Sequence, residues 1–480
     1  MSVLNSLPKR LNIIVLIGLG LILGLGYWKS QFIWDDREIF AHVHYSSWLQ
    51  LWFEPVTGGR LGGGYYRPIA MTLLKLCGAP YWAHLLATLC HVLSAVAISQ
   101  LLPSSSKRWA LLFLVHPLAN EILGWASALP DALALCLSLW AVVAFQRERW
   151  ILVFGCVLIG GLAKETAWVP LLAFGLCAET TAHKQRSGWT LGGAFALVLG
   201  LRIMAGVSGG WAIGAKIHLL PKALFWALST LVWPWPLSIV HDIHVLSWPV
   251  LVLGGIVFLM LLLALRRQEW RSAAIMIFLS IGLALPTMVD GGLLGERYVY
   301  MATAGLVLMV GQFFSSIHRS QQQKLNILLG GLVVSSLGLH LNRQSDWASD
   351  RTLFGAAAQA YPDASYAHHF VGVVALHENR PSDAAVAFEK ALLSDDAHID
   401  DRKLYLIALV EAKQLELALS FAQAGAQSNL DAEYIAYWAR AYVETQQNEP
   451  ARQLLQLLCP SDLHCDGPEW VQELYVTALK

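Results

Sequence analysis

The sequence predicts an all-α protein: a polytopic bundle of membrane-spanning helices followed by a soluble domain of helical repeats. Three observations carry this. Of 480 residues, 56% are hydrophobic and 14% charged, where a soluble domain carries about 25% charged residues. Between residues 11 and 341 the charges stand in short clusters separated by apolar runs of roughly twenty residues, the length that crosses a ~30 Å hydrocarbon core. From residue 342 onward Asp, Glu, Gln and Lys become frequent, as in a chain that meets water. The net charge is zero, which gives no hint of a nucleic-acid partner.

Taken in order, the apolar runs predict helices over 11–28, 80–102, 109–125, 128–146, 150–163, 167–182, 189–206, 248–265, 272–289, 297–315 and 324–341. The first follows Lys9 and Arg10 but ends in Tyr27-Trp28-Lys29 without a small-residue cleavage site, so it reads as a retained helix. Trp34, Trp48, Trp150, Trp233, Trp235 and Trp248 lie at segment ends, where indoles favour the membrane interface. Residues 217–240 are apolar enough to span, yet they end in Trp233-Pro234-Trp235-Pro236, and prolines at that density break a helix. Charge decides their placement, since cytoplasmic loops hold the excess of Lys and Arg. With the N-terminus inside, Lys107, Arg108, Arg147, Arg149, Lys184 and Arg186 are inside. Arg266, Arg267, Arg271, Arg319 and Lys324 join them only if 217–240 does not cross. The segment therefore reads as re-entrant or interfacial, leaving about eleven crossings. The loop 29–79 and the C-terminal region then share the outer face.

Residues 365–398 match one tetratricopeptide repeat, a helix pair of about 34 residues. With Ser365 as the first position, Gly372, Ala384, Phe388 and Ala391 fall where that repeat uses small or aromatic residues. Phe354, Ala357 and Pro362 form a half-repeat before it. Weaker copies follow near 399–431 (Leu406, Ala418, Ala422) and 432–465 (Ala439, Tyr442, Ala451, Leu455). The domains are thus 1–345 in the membrane and 346–480 in water, the latter either a concave surface for a peptide or a cap. Cys77, Cys90, Cys136, Cys156 and Cys177 read as packing residues. Cys459 and Cys465 are either a disulfide, which needs an oxidising compartment, or two thiols.

The first outer loop carries adjacent carboxylates, Asp35 and Asp36, just beyond a membrane helix. Partly desolvated acids at an interface are costly and point to function, although an Asp-Asp pair also starts helices. Such a carboxylate suits a general base that takes the proton of an attacking hydroxyl. His42, His44 and His116 lack metal-ligand spacing, and no metal is assigned. The glycines of "GGRLGGG" at 58–64 lack the strand and helix of a nucleotide site and read as a loop closing over substrate.

Six pieces then stand in order: "WDD" in the first outer loop; "YYRPI" before the second helix; "HPLANEILGWASALPDAL" between the third and fourth; "GLAKETAWVPLL" between the fifth and sixth; "GERYVYMATAGL" opening the tenth; and a tryptophan followed by the repeats. Together they resemble the GT-C superfamily of integral-membrane glycosyltransferases, and within it the transmembrane and tetratricopeptide-repeat O-mannosyltransferases and their bacterial relatives. The resemblance implies an inverting transfer of a monosaccharide from a polyprenyl- or dolichyl-phosphate donor at the non-cytoplasmic face. It does not imply which sugar or which acceptor. On it, Asp35 is expected as the base with Asp36 as its partner. Arg297 is expected on the departing phosphate, or paired with Glu296. Lys164 is expected on phosphate or paired with Glu165, and Arg67 on donor or anchoring its loop. Glu121 and Asp131 are expected to contact the substrate or support the base, and Glu165 to support the substrate.

The expected acceptor is a protein or peptide recruited by the repeats. The same chemistry on a glycolipid or envelope polysaccharide is the alternative, followed by a non-catalytic membrane scaffold and a transporter. A transporter would carry paired broken helices in internal repeats, and none is seen. The expected setting is a bacterial inner membrane, N-terminus cytoplasmic and C-terminal domain periplasmic.

Overall fold

A computed structural model describes residues 9–56, 65–207, 214–243, 246–291, 293–317, 321–393, 397–425, 431–459 and 470–478. The chain divides into two compact units, residues 1–353 and 354–480. Both are helical. The one sheet among the described residues pairs His241–Asp242 with Leu293–Leu294, antiparallel.

The first unit opens with α1 (Lys9–Leu25), followed by three short helices in the loop region: α2 (Asp36–Tyr45), α3 (Trp48–Phe53) and α4 (Pro68–Cys77). Ser47 and Gln50 form a reciprocal capping box that starts α3. Pro68 begins α4 where its missing N–H costs nothing, and Gly78 ends it at φ 64°. Next come α5 (Pro80–Leu101), α6 (Ala110–Leu114), α7 (Ala119–Gly124), α8 (Leu129–Gln146), α9 (Trp150–Ala163), α10 (Val169–Leu176) and α11 (Thr181–Met204). The unit continues with α12 (Leu220–Val232), α13 (Trp248–Ala264), α14 (Gln268–Gly291), α15 (Arg297–Ser315) and α16 (Gln322–Gln344).

Helices α5 and α8 form the interior, with most of their residues buried. Helix α1 lies along α5, and glycines four apart permit it: a Cβ on Gly20 or Gly24 would collide with Val92 or Thr88. Helix α13 instead exposes Val252, Ile256, Leu259, Met260, Leu262 and Leu263, a surface that water disfavours and lipid accepts. Among the described residues, six helices are long and apolar enough to cross a membrane: 80–101, 126–146, 181–204, 268–288, 297–315 and 324–348.

Two expected segments differ. The run 109–125 is not one helix. It breaks between α6 and α7 at Val115–Leu118, because Pro117 cannot donate to the helical ladder. The run 167–182 begins with a 3-10 turn at Glu165–Trp168 and is helical only to Leu176. Within 217–240, α12 is 13 residues long, short of the ~30 Å hydrocarbon thickness at 1.5 Å per residue.

The C-terminal region runs through α17 (Asp350–Ala360), which straddles the division, then α18 (Ser365–His377), α19 (Pro381–Leu392), α20 (Asp401–Glu411), α21 (Leu415–Ala424), α22 (Ala432–Glu444), α23 (Asn448–Leu458) and α24 (Trp470–Ala478). Three of its turns are alike. Asn379, Lys413 and Gln446 each take φ near +60°, and the next amide bonds back to the carbonyl of Ala375, Leu409 and Tyr442 respectively. These turns lie 34 and 33 residues apart. A Cβ on Gly372 would stand 2.7 Å from the Phe388 ring, so the small residue of α18 admits the aromatic one of α19. Cys459 is disulfide-bonded. Cys465 and the glycines 58–64 lie outside the described residues.

Candidate functional site

The site is built around the turn that follows α1. Asp36 is the first residue of α2 and wholly buried. Its Oδ1 accepts the Ser127 backbone N–H at 2.8 Å and the Ser127 hydroxyl at 2.5 Å, and its Oδ2 accepts the Ile33 N–H at 3.1 Å. Both oxygens are thus engaged, and burial pushes the carboxyl up to about 7 against those hydrogen bonds. Asp36 locks the turn to the 3-10 segment Ala126–Ala128. Expected as the partner of Asp35, Asp36 has both its oxygens engaged by Ser127 and Ile33.

Asp35 is half-buried and differently held. Its one side-chain donor among the described residues is the Trp125 indole N–H, 3.1 Å from Oδ1. Burial pushes it up to about 6, while the Arg297 charge and the Trp125 bond pull the other way. An accessible carboxyl near 6 is ionised at neutral pH yet more basic than an ordinary aspartate.

Arg297 opens α15 and faces the same indole. Its guanidinium carbon stands 5.0 Å from the Trp125 ring, 5.8 Å from Trp34 and 4.5 Å from Tyr298. Trp34 and Trp125 stack on each other at 5.3 Å and 22°. Asp35 and Arg297, far apart in sequence, therefore both approach Trp125, one at the indole N–H and the other over the ring. Glu121 orients the arginine: Oε1 takes Nη1 at 2.6 Å and Oε2 the Arg297 backbone N–H at 2.9 Å. The Tyr298 hydroxyl takes Nη2 at 3.1 Å. Gly295 makes room, since a Cβ there would lie 2.5 Å from Nη1. The ion pair of Arg297 is thus with Glu121 and not with Glu296. Glu296 is buried, accepts the Ser238 N–H at 2.6 Å and lies 3.3 Å from His241 Nε2.

The remaining cations are also matched. Lys164 donates to Asp131 at 2.6 Å, with both side chains largely buried. Arg67 stands just before α4, lies 3.6 Å from Glu165 and stacks over Tyr65 at 4.8 Å. So Lys164 does not pair with Glu165, and Arg67 ties the loop to the α9–α10 turn. His42 and His44 sit in the last turn of α2 and His116 in the break before α7. Among the described residues no group of three His, Cys, Asp or Glu side chains could hold a metal.

Sequence reasoning missed Trp125, Ser127, Tyr298 and Asp350, which accepts the Trp34 N–H and the Arg37 guanidinium. The first two lie in the "HPLANEILGWASALPDAL" piece, where only the acids drew notice. An indole two residues before a serine, between two acids, was the signal to follow. Comparison of the chain with protein-family models, curated proteins and solved structures finds no match.

Proposed function

We propose that the chain is an inverting glycosyltransferase of GT-C type that moves a monosaccharide from a polyprenyl- or dolichyl-phosphate donor to an acceptor hydroxyl at the non-cytoplasmic membrane face. The observation that carries the reading is the convergence of a half-buried, raised carboxyl and a guanidinium on one indole. Asp35 takes the proton of the acceptor hydroxyl as its oxygen bonds to the anomeric carbon. The bond from that carbon to the phosphate oxygen breaks on the opposite side, and the configuration inverts. Arg297, held by Glu121, balances the charge of the leaving lipid phosphate with the N–H groups left over from its internal bonds. Asp36 serves the turn rather than the reaction. Lys164 and Arg67, each matched by an acid, serve the walls rather than the phosphate.

In this reading the first unit crosses the membrane about eleven times, with α12 packed inside without crossing. The three like turns 34 and 33 residues apart support a tetratricopeptide-repeat solenoid. The disulfide at Cys459 supports an oxidising compartment for it, such as the periplasm of a bacterial cell. The repeats then present a protein or peptide acceptor. The test compares glycans on envelope proteins of the producing cell with and without the chain. Loss of one glycan form supports the reading, and an unchanged glycan profile across proteins, lipids and polysaccharides overturns it.

A further inference from the structure

The turn that presents Asp35 is held from far along the chain. Trp34 adopts φ 55°, a left-handed backbone conformation that a bulky side chain rarely takes and that its surroundings must enforce. The enforcing group is visible. The Trp34 backbone N–H donates to Asp350 Oδ1 at 2.7 Å, and Arg37 Nη1 donates to Asp350 Oδ2 at 2.8 Å. One carboxylate therefore grips the residue before the Asp35–Asp36 pair and the residue after it. A second tie, from the Gln31 N–H to the Ala348 carbonyl at 3.4 Å, runs alongside.

The two grips are unequal. The Arg37 side chain is 58% exposed, while that of Asp350 is 16% exposed, so the ion pair is largely screened by water. The amide bond is the specific one, because it fixes the backbone at the strained residue. Through that backbone the Trp34 ring stacks on Trp125, and the Trp125 indole donates to Asp35. The conformation of one peptide thus sets both the Trp34 ring on Trp125 and the Asp35 carboxyl at the Trp125 indole N–H.

We propose that Asp350 is a positioning residue: by accepting the Trp34 N–H it holds the left-handed turn that aims Asp35 at the acceptor hydroxyl. The inference rests on Asp35 being the base. Asp350 touches neither donor nor acceptor, so its loss acts on the rate of the bound complex and not on donor binding.

The test uses the full chain in membrane vesicles with tritiated polyprenyl-phosphate mannose, glucose and galactose as donors, assayed against envelope protein from the producing cell. Asp350→Ala is expected to lower kcat about 10- to 100-fold, the scale of a misplaced catalytic group, with donor KM held. Asp350→Asn keeps an oxygen for the Trp34 N–H and is expected to recover most of kcat, as is Arg37→Ala. Asp350→Glu keeps the charge, moves the oxygen by one methylene and is expected to fall below Asp350→Asn. That ordering holds the test open if the alanine variant does not fold. A glutamate variant as active as wild type, or an asparagine variant as poor as alanine, overturns the positioning role in favour of charge alone. Asp35→Asn is run beside them: an inactive Asp35→Asn with a fully active Asp350→Ala overturns this inference alone, and an active Asp35→Asn removes the base and the inference together.

Discussion

At the residue scale, the two neighbouring aspartates show how environment divides like side chains. Asp36 has three donors on its two oxygens and no exposure, and Asp35 has one indole and a half-open face. Nothing in the letters "WDD" separates them; the separation comes from Ser127 and Trp125, more than eighty residues away. A pH prediction follows for Asp35. A base must be ionised, so transfer should rise with pH along an acid limb whose midpoint lies near the value of about 6 to which burial raises this carboxyl. Arg297 favours the ionised form. Replacing it with Gln should therefore move the midpoint to higher pH, besides slowing the reaction. A pH–rate profile of both proteins checks this, and an unmoved midpoint speaks against the pairing. Charge beside apolar runs is conspicuous, so the sequence singled out Asp35, Arg297, Lys164 and Arg67 as candidates but passed over Asp350. Their partners were not legible: Arg297 with Glu121, Lys164 with Asp131 and Arg67 with Glu165 are all long-range choices set by packing.

At the element scale, hydropathy gave helices whose ends match closely where the whole run is apolar, as at 80–101, 150–163 and 297–315. It failed where backbone chemistry overrides composition. Pro117 breaks a run that is apolar on both sides, and α4, at 10 residues, is too short to register as a span. The break matters, since it frees α7 and the following 3-10 turn to bring Glu121, Trp125 and Ser127 to Arg297, Asp35 and Asp36. In the C-terminal helices, the contact of Gly372 with Phe388 makes a direct prediction. Gly372→Leu should destabilise the α18–α19 pair by about 1–3 kcal/mol, the usual cost of overpacking. Denaturant unfolding of the full chain in detergent should show a lower midpoint for the C-terminal transition, and an unchanged midpoint would refute the close contact.

At the scale of the whole molecule, the apolar exterior of α13 and the six long apolar helices make a membrane the natural solvent for the first unit. The proposed orientation puts the Asp35 loop outside and the basic turn at Arg266 and Arg267 inside. Both Lys29 and Arg267 are exposed. In intact cells, a chain relieved of its unpaired cysteines and carrying Lys29→Cys should react with a membrane-impermeant maleimide, and one carrying Arg267→Cys should react only after lysis. The reverse pattern would put the site in the cytoplasm. The placement of Lys and Arg suffices to propose an orientation, whereas nothing in the sequence sets Asp35 beside the Trp125 indole.

The measurement that bears most directly on the chemistry is label transfer from a tritiated polyprenyl-phosphate hexose in vesicles holding equal amounts of the wild-type chain and Asp35→Asn. The substitution keeps shape and the Trp125 bond while removing basicity. Transfer should fall about 10²- to 10⁴-fold, the usual contribution of a general base. Transfer at the wild-type rate would contradict the account.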